Sequence, residues 1–388
     1  MRLPAWALAA SLAAAPTPLP AQEPTPGWPA LVRALEAQAE ADGVVGATAA
    51  LVRDGRIVAR HHYGFADRAA GRRVDQRTIF HWASITKTLG AVAVMQLRDR
   101  GRLSLDDAIV RWVPELRRLH DPWEMLDSIP LRMLLSHTAG FRNGTWPWGG
   151  ADWQPFEPAE WGQLVAMMPY QRLEFRPGSR YGYSNPAYVY LARVVEAESH
   201  DPWVAYIQKN LWAPLGMDRS STGFTPWHLA ADRGHGYEIR RAEGRDTLVD
   251  MGAEFDPGIT IPNGGWNAPV DDVAKWAAFL LGRPADPATQ ARYAGVLARA
   301  TLEEMWRPVL ASREGYTAGE SVGLGFFLLE RNGRRIVGHT GDQGGYRSFL
   351  YLDPAAGTAV IVGLNTTNYS RDDAAGWQRL VEAGLGAL

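Results

Sequence analysis

The stretch FHWASITKTLGAVAVMQL, residues 80–97, carries the reading of the whole chain, because it sets a hydroxyl and an amine three positions apart at the head of a periodic segment. Ile85, Leu89, Val92 and Met95 recur at helical spacing, and Gly101 supplies a stop, which predicts a helix over 84–100. Side chains at i and i+3 share one helix face, so the Lys87 amine falls beside the Ser84 hydroxyl. A serine hydroxyl is a poor nucleophile until a base takes its proton, and lysine serves once burial or nearby positive charge leaves it neutral. First-turn N–H groups and the helix dipole stabilise developing negative charge at the same place. The spacing also describes an ordinary helix start, with serine as cap and lysine in water. The pair alone leaves both readings open.

Upstream, residues 28–42 have helical spacing and precede two apolar runs that flank Asp54-Gly55, a pair favoured in tight hairpins because it tolerates positive φ. Downstream, residues 102 to about 310 are mostly helical patterns broken by Pro and Gly, among them 131–141, 186–199, 202–217 and 271–282. Period two returns in VGLGFFLLE, RRIVGH, YRSFLYLDP and AVIVGLN, and a last helix closes the chain. Strands at both ends need a common sheet to bury their apolar faces. The expectation is an α/β (α+β) fold: a central antiparallel sheet flanked by helices, with a mainly helical second domain. Residues 28–100 and 310–388 form the mixed domain and 101–309 the helical insertion.

Two more clusters weigh on the Ser84/Lys87 question. RPGSRYGYSNPAYVYLARVVE places Tyr183-Ser184-Asn185 in a Gly-flanked loop leading into a helix, and GHTGDQGGYRSF places His339-Thr340-Gly341 at a strand end. With these the chain resembles the serine β-lactamase and penicillin-binding-protein superfamily, in particular its class C β-lactamase-like branch of exported esterases and D-amino-acid-specific peptidases. That branch carries S-x-x-K, then Y-x-N, then K-T-G or H-x-G. LRMLLSHTAGF, FRPGSRYGYSNPAYVYL, LWAPLGM and VGLN resemble it as well, so the likeness runs from about residue 40 to 367.

The resemblance implies that Ser84 is the acylated nucleophile and Lys87 its activator. Tyr183 shares the base role and protonates the leaving group, and Asn185 orients Lys87 and the substrate's acyl-side amide. His339 and Gly341 belong to the third motif, and the backbone N–H groups of Ser84 and Asp342 form the oxyanion hole. Without the resemblance, Tyr183 reads as a surface loop aromatic and Asn185 as a helix cap before Pro186.

His339 departs from the penicillin-directed pattern, which has lysine there to hold the antibiotic's carboxylate. Histidine is shorter and largely neutral near pH 7. It reads as a hydrogen-bonding group toward Tyr183 or substrate, or as a packed strand-end residue. Asp342 reads as a solvent-facing turn carboxylate, as a partner that keeps His339 charged, or as a contact for a substrate ammonium. Arg347 reads as an exposed strand residue or a carboxylate ligand.

Composition bounds the rest. Residues 1–22 combine Arg2, an apolar run and small residues near Ala21, the pattern of a signal peptide, and the run is short of the ~20 residues a membrane helix needs. A secreted or periplasmic protein is expected. With no cysteine, neither a disulfide scaffold nor a thiol nucleophile exists. A net charge of −2 leaves no electrostatic footprint for nucleic acid.

Several local patterns carry less. Trp146, Trp148 and Trp153 lie in a Gly/Pro-rich stretch and either line a cleft or pack a loop. Gly319–Gly323 matches G-x-S-x-G around Ser321, but with a strand after the serine where a nucleophile elbow has a helix. His61-His62 lacks helix-spaced partners for a metal, and strand alternation sends the two side chains to opposite faces. Asn143 and Asn365 match the glycosylation acceptor pattern incidentally.

The expected activity is serine hydrolysis of a small-molecule ester, amide or peptide, without metal or cofactor and without stable membrane insertion. A carboxylic ester is the first reading. D-aminopeptidase, D-amino-acid amidase or carboxypeptidase chemistry is the second, and a class C-like β-lactamase the third. A non-enzymatic sensor or binding protein for cell-wall fragments is the alternative from another class.

Overall fold

The Asp54-Gly55 pair forms a hairpin turn with φ of 47° and 76°, the double left-handed geometry that matches the twist of the flanking strands. Those strands, Gly46–Arg53 and Arg56–Asp67, are antiparallel neighbours. The computed structural model describes residues 24–145, 159–242, 244–284, 286–310, 320–368 and 374–388. The leader at 1–22 and the tryptophans at 146, 148 and 153 lie outside them.

Within the described residues the main sheet has eight strands, all antiparallel. Their spatial order is Arg72–Arg73, Arg56–Asp67, Gly46–Arg53, Thr358–Leu364, Tyr346–Asp353, Arg334–Gln343, Phe327–Arg331, Glu320–Val322. The N-terminal hairpin thus pairs directly with the C-terminal strands, Ala50 opposite Ile361, as a common sheet for both chain ends requires.

Strand alternation sorts the sheet's apolar residues between two cores. Ala47, Ala49, Leu51, Val360, Val362 and Leu364 pack with helices Trp28–Asp42 and Ala374–Ala387. Ala50, Val52, Leu350, Ala359 and Ile361 belong to the larger core, which also takes in helix Val270–Leu281 and the buried face of helix Thr86–Asp99. The central strands are therefore apolar on both sides. Helix Val270–Leu281 comes from the stretch read as insertion.

Residues 102–310 contain strands that their sequence did not announce. Gly236–Ala242 and Arg245–Gly252 form a hairpin joined by Thr366–Asn368. Much of the hairpin's second strand is exposed, so no alternation marks it. Ile79–His81, Trp266–Pro269 and Ser221–Thr222 form a third, short sheet, and it leads straight into the Ser84 turn. No helix among the described residues is long and apolar enough to cross a membrane.

Candidate active site

The helix expected from residue 84 begins two residues later: Ala83–Ile85 is a 3-10 turn and the α-helix runs Thr86–Asp99. Ala83 has φ of +46°, a left-handed conformation that costs an alanine about 1–3 kcal/mol. The surroundings impose it. Trp82 N–H donates to the Trp266 carbonyl (2.8 Å), and its indole N–H to the Ala268 carbonyl (2.9 Å). The Thr86 hydroxyl donates to the Ala83 carbonyl at 2.6 Å, and the Ser348 hydroxyl to the Trp82 carbonyl at 3.2 Å.

Gly341 explains the small residue in the third motif. A Cβ there would stand 2.4 Å from the Trp82 carbonyl oxygen and 2.6 Å from Ser348 Oγ. Only glycine lets strand Arg334–Gln343 lie this close to the Ser84 turn. The approach puts the strand position of Asp342 beside the nucleophile's own backbone, where a pair of N–H groups would serve an oxyanion.

Lys87 is wholly buried. Its Nζ lies 2.9 Å from Ser84 Oγ, 2.8 Å from Asn185 Oδ1 and 2.7 Å from the Asn263 carbonyl oxygen, all uncharged groups. Burial without a carboxylate partner holds its pKa well below that of a free lysine. A neutral amine has two N–H bonds and one lone pair. With Asn185 and Asn263 accepting the two N–H groups, the lone pair is left for the Ser84 hydroxyl proton. That is the geometry of a general base.

Tyr183 hydrogen-bonds the Ser84 side chain, and burial raises its phenol pKa far above the ordinary value, so it keeps its proton. Its ring lies 4.9 Å from Lys87 Nζ. Asn185 donates from Nδ2 to Asn143 Oδ1 (3.3 Å), and its backbone N–H reaches the Asn143 carbonyl (3.1 Å). Asn263 Nδ2 donates to Asn185 Oδ1 at 3.2 Å. Ser84, Lys87, Tyr183 and Asn185, read from two separate motifs, thus meet in one hydrogen-bonded group.

His339 is 1% exposed and stacked on Phe327, ring centroids 4.5 Å apart. Its Nδ1–H donates to the Thr340 carbonyl at 2.6 Å. Burial, followed by the neighbouring Lys87, pushes its pKa down to about 3, so the ring is neutral. Its ring centroid stands 6.1 Å from that of Tyr183. Asp342 pairs with Arg347 at 3.4 Å across the strand register.

Three contributors were not singled out in the sequence. Asn263 presents its carbonyl from PNGG, where the only local signal is a Gly-rich turn. His137, inside the quoted SHTAGF stretch, adopts φ of +56°, accepts the Ser184 N–H at Nδ1 (3.1 Å) and stacks on Tyr183 at 4.3 Å. Burial first, then Lys87 and His339, depresses its pKa strongly. Asn143, matched only as a glycosylation acceptor, braces Asn185.

The remaining patterns lie apart from this group. Ser321 sits in the outermost strand opposite Leu328. His61 faces Glu36 and His62 faces Thr48. Asn365 is buried, its Nδ2 donating to the Phe65 carbonyl. Among the described residues no cluster of three or more His, Asp or Glu side chains is suited to a metal ion.

Known proteins share both sequence and architecture. The family model described as Beta-lactamase matches residues 31–385. Esterase EstB of Burkholderia gladioli is 31% identical over 360 residues, covering 83% of this chain and 86% of that protein. The octameric penicillin-binding protein homologue from Pyrococcus abyssi superposes with a TM-score of 0.73 at 26% identity, over 88% of this chain and 74% of that one. The D-stereospecific amidohydrolase from Streptomyces sp. gives 0.71 at 25% identity, over 92% and 98%. The reaction is of the serine-hydrolase type common to esterases, amidases and lactamases, and the chain is an enzyme that belongs to the Beta-lactamase family.

Proposed function

We propose that this enzyme hydrolyses neutral carboxylic esters through an acyl-enzyme on Ser84. The observation that carries the reading is the state of His339: buried, uncharged, and committed through Nδ1 to the Thr340 carbonyl. A lysine at that place would offer a cation to a substrate carboxylate. Here the next cation along the hairpin, Arg347, is paired with Asp342. An acyl donor without a carboxylate suits such a site better than a penicillin does. The name of the Burkholderia relative agrees with an esterase. The leader pattern at 1–22 adds the proposal of action outside the cytoplasm.

In this mechanism the Ser84 Oγ–H proton passes to the Lys87 lone pair as Oγ attacks the ester carbonyl. The backbone N–H groups of Ser84 and Asp342 hold the oxyanion. Tyr183 donates its proton to the leaving alkoxide and is reprotonated from Lys87, which restores the neutral amine. Water repeats the sequence on the acyl-enzyme, and the acid product leaves.

The test is a time course of intact mass with peptide mapping, run separately with a p-nitrophenyl ester, a penicillin and a D-alanyl peptide. The expected result is a transient acyl adduct on Ser84 and fastest turnover of the ester. Faster turnover of the peptide or the penicillin, or ester turnover that survives Ser84→Ala, would sink the reading.

A further inference from the structure

Strand Arg334–Gln343 ends one residue after Asp342, and the side chain of that last residue, Gln343, reaches two other parts of the site. Its Oε1 lies 3.2 Å from His81 Nε2, on the segment that enters the Ser84 turn. Its Nε2 donates to Thr260 Oγ1 at 3.4 Å, and Thr260 in turn donates to the Pro257 carbonyl at 2.5 Å. Thr260 is the residue before the single-turn helix Ile261–Gly264. That turn presents the Asn263 carbonyl to Lys87 at 2.7 Å.

The contact with the turn is also steric. Gly264 follows Asn263, and a Cβ built on it would stand 2.3 Å from Gln343 Oε1, with the amide carbon at 3.3 Å. The Gln343 amide therefore fills the place a side chain would take at residue 264. Gly264 is not among the residues with positive φ, so its lack of a side chain answers to this contact and not to backbone geometry. His81 is anchored on its other side, Nδ1 standing 2.8 Å from Asn267 Oδ1, while Asn267 Nδ2 donates to the Gly223 carbonyl at 2.7 Å.

We propose that Gln343 is a positioning residue that fixes the Asn263 carbonyl against Lys87. Among the described residues its side chain hydrogen-bonds neither Ser84 nor Lys87, and it acts through the two elements it joins. When the Gln343 amide is displaced, the Ile261–Gly264 turn loses its backstop, and the Lys87 lone pair loses its aim at the Ser84 hydroxyl. A misplacement of about 1 Å in such a group costs on the order of 10²-fold in rate.

The proposal rests on Ser84 being activated by Lys87 and is independent of the acyl group preferred. Its test is a double-mutant cycle of Gln343→Ala and Gly264→Ala in the full chain. The readouts are the rate of Ser84 labelling by an alkyl fluorophosphonate, followed by intact mass, and the thermal midpoint. Fluorophosphonate transfers its phosphonyl group to Oγ with loss of fluoride, so it reports nucleophile activation without an ester.

The added methyl of Gly264→Ala pushes the amide away without deleting it. Each single variant is expected to label about 10- to 100-fold more slowly. The double variant is expected to be no slower than the slower single, because with Gln343 shortened the three atoms nearest the new methyl are gone. On a p-nitrophenyl ester, kcat falls and KM holds. Multiplicative losses in the double variant, wild-type labelling in Gly264→Ala, or a lowered midpoint with unchanged labelling would overturn the proposal. Failure of the ester reading appears separately, as wild-type labelling of Ser84 without ester turnover.

Discussion

The His339 imidazole lies flat against the Phe327 ring, centroids 4.5 Å apart and planes 25° from parallel. A residue that reads in the sequence either as a hydrogen-bonding group toward Tyr183 or substrate or as a packed strand-end residue is, in the fold, half of an aromatic stack. Its exchange for lysine places an ammonium where this site has an uncharged ring. His339→Lys is expected to raise the rate of penicillin acylation at Ser84 by about tenfold or more, since a charged hydrogen bond is stronger than a neutral one by a factor of two or so. Intact-mass kinetics with and without the substitution decide it; an unchanged rate would remove His339 as a determinant of substrate charge.

As the proposed base Lys87 acts only when neutral, so kcat/KM is expected to rise through an acid limb as pH increases and to reach its plateau well below the range of an ordinary lysine. Lys87→Met keeps an unbranched chain, one atom shorter, and removes the basic amine. It is expected to lower kcat by about 10²- to 10⁴-fold and to abolish that limb. A pH–rate profile of both proteins is the measurement, and a limb that survives in Lys87→Met assigns it to another group.

Gly341→Ala drives a methyl into the Trp82 carbonyl, 2.4 Å away, and backbone oxygen on that side has no room to yield. The strand must separate from the Ser84 turn, which moves the proposed oxyanion donor, the Asp342 N–H, out of place. The expected loss is about 10²- to 10³-fold in kcat. Burst kinetics with a p-nitrophenyl ester would show it in the acylation phase.

His81 and His339 are buried in neutral form, with pKa values down to about 4 and about 3; burial is the main cause in each, helped by Arg233 for the first and Lys87 for the second. In the unfolded chain both regain the ordinary value near 6.5. Between that value and the folded ones the unfolded state binds more protons, so stability is complete above about pH 6.5 and declines as pH falls toward 4. Urea midpoints at pH 7 and pH 5 are expected to differ, and His339→Gln is expected to reduce the difference without removing the shares of His81 and His137. Equal slopes in the two proteins would contradict this.

That Ser84 and Lys87 meet was legible because both sit on one short segment, and that Tyr183 and Asn185 join them because their loop keeps a recognisable spacing. The hairpin turn at Asp54-Gly55 and the joining of both chain ends in one sheet were legible from local turn chemistry and period two. Asn263 and Gln343 were not. Their parts depend on a carbonyl and an amide brought in from distant segments, and neither side-chain type announces such a task. The hairpin Gly236–Gly252 escaped because its exposed second strand has no apolar face to alternate. His339 was legible as a position and not as a state, since its neutrality comes from burial that only the packed strands create.

The neutrality of the site has a consequence for the medium in which the enzyme works. Tyr183, His137 and His339 rest uncharged, burial holds the Lys87 pKa well below its ordinary value, and Asp342 is matched by Arg347. Salt acts on rates by screening charge, over about 8 Å at physiological ionic strength. With the proposed neutral ester as substrate, salt has little charge at the reaction centre to screen. On such a substrate the rate is expected to change little between dilute and briny surroundings.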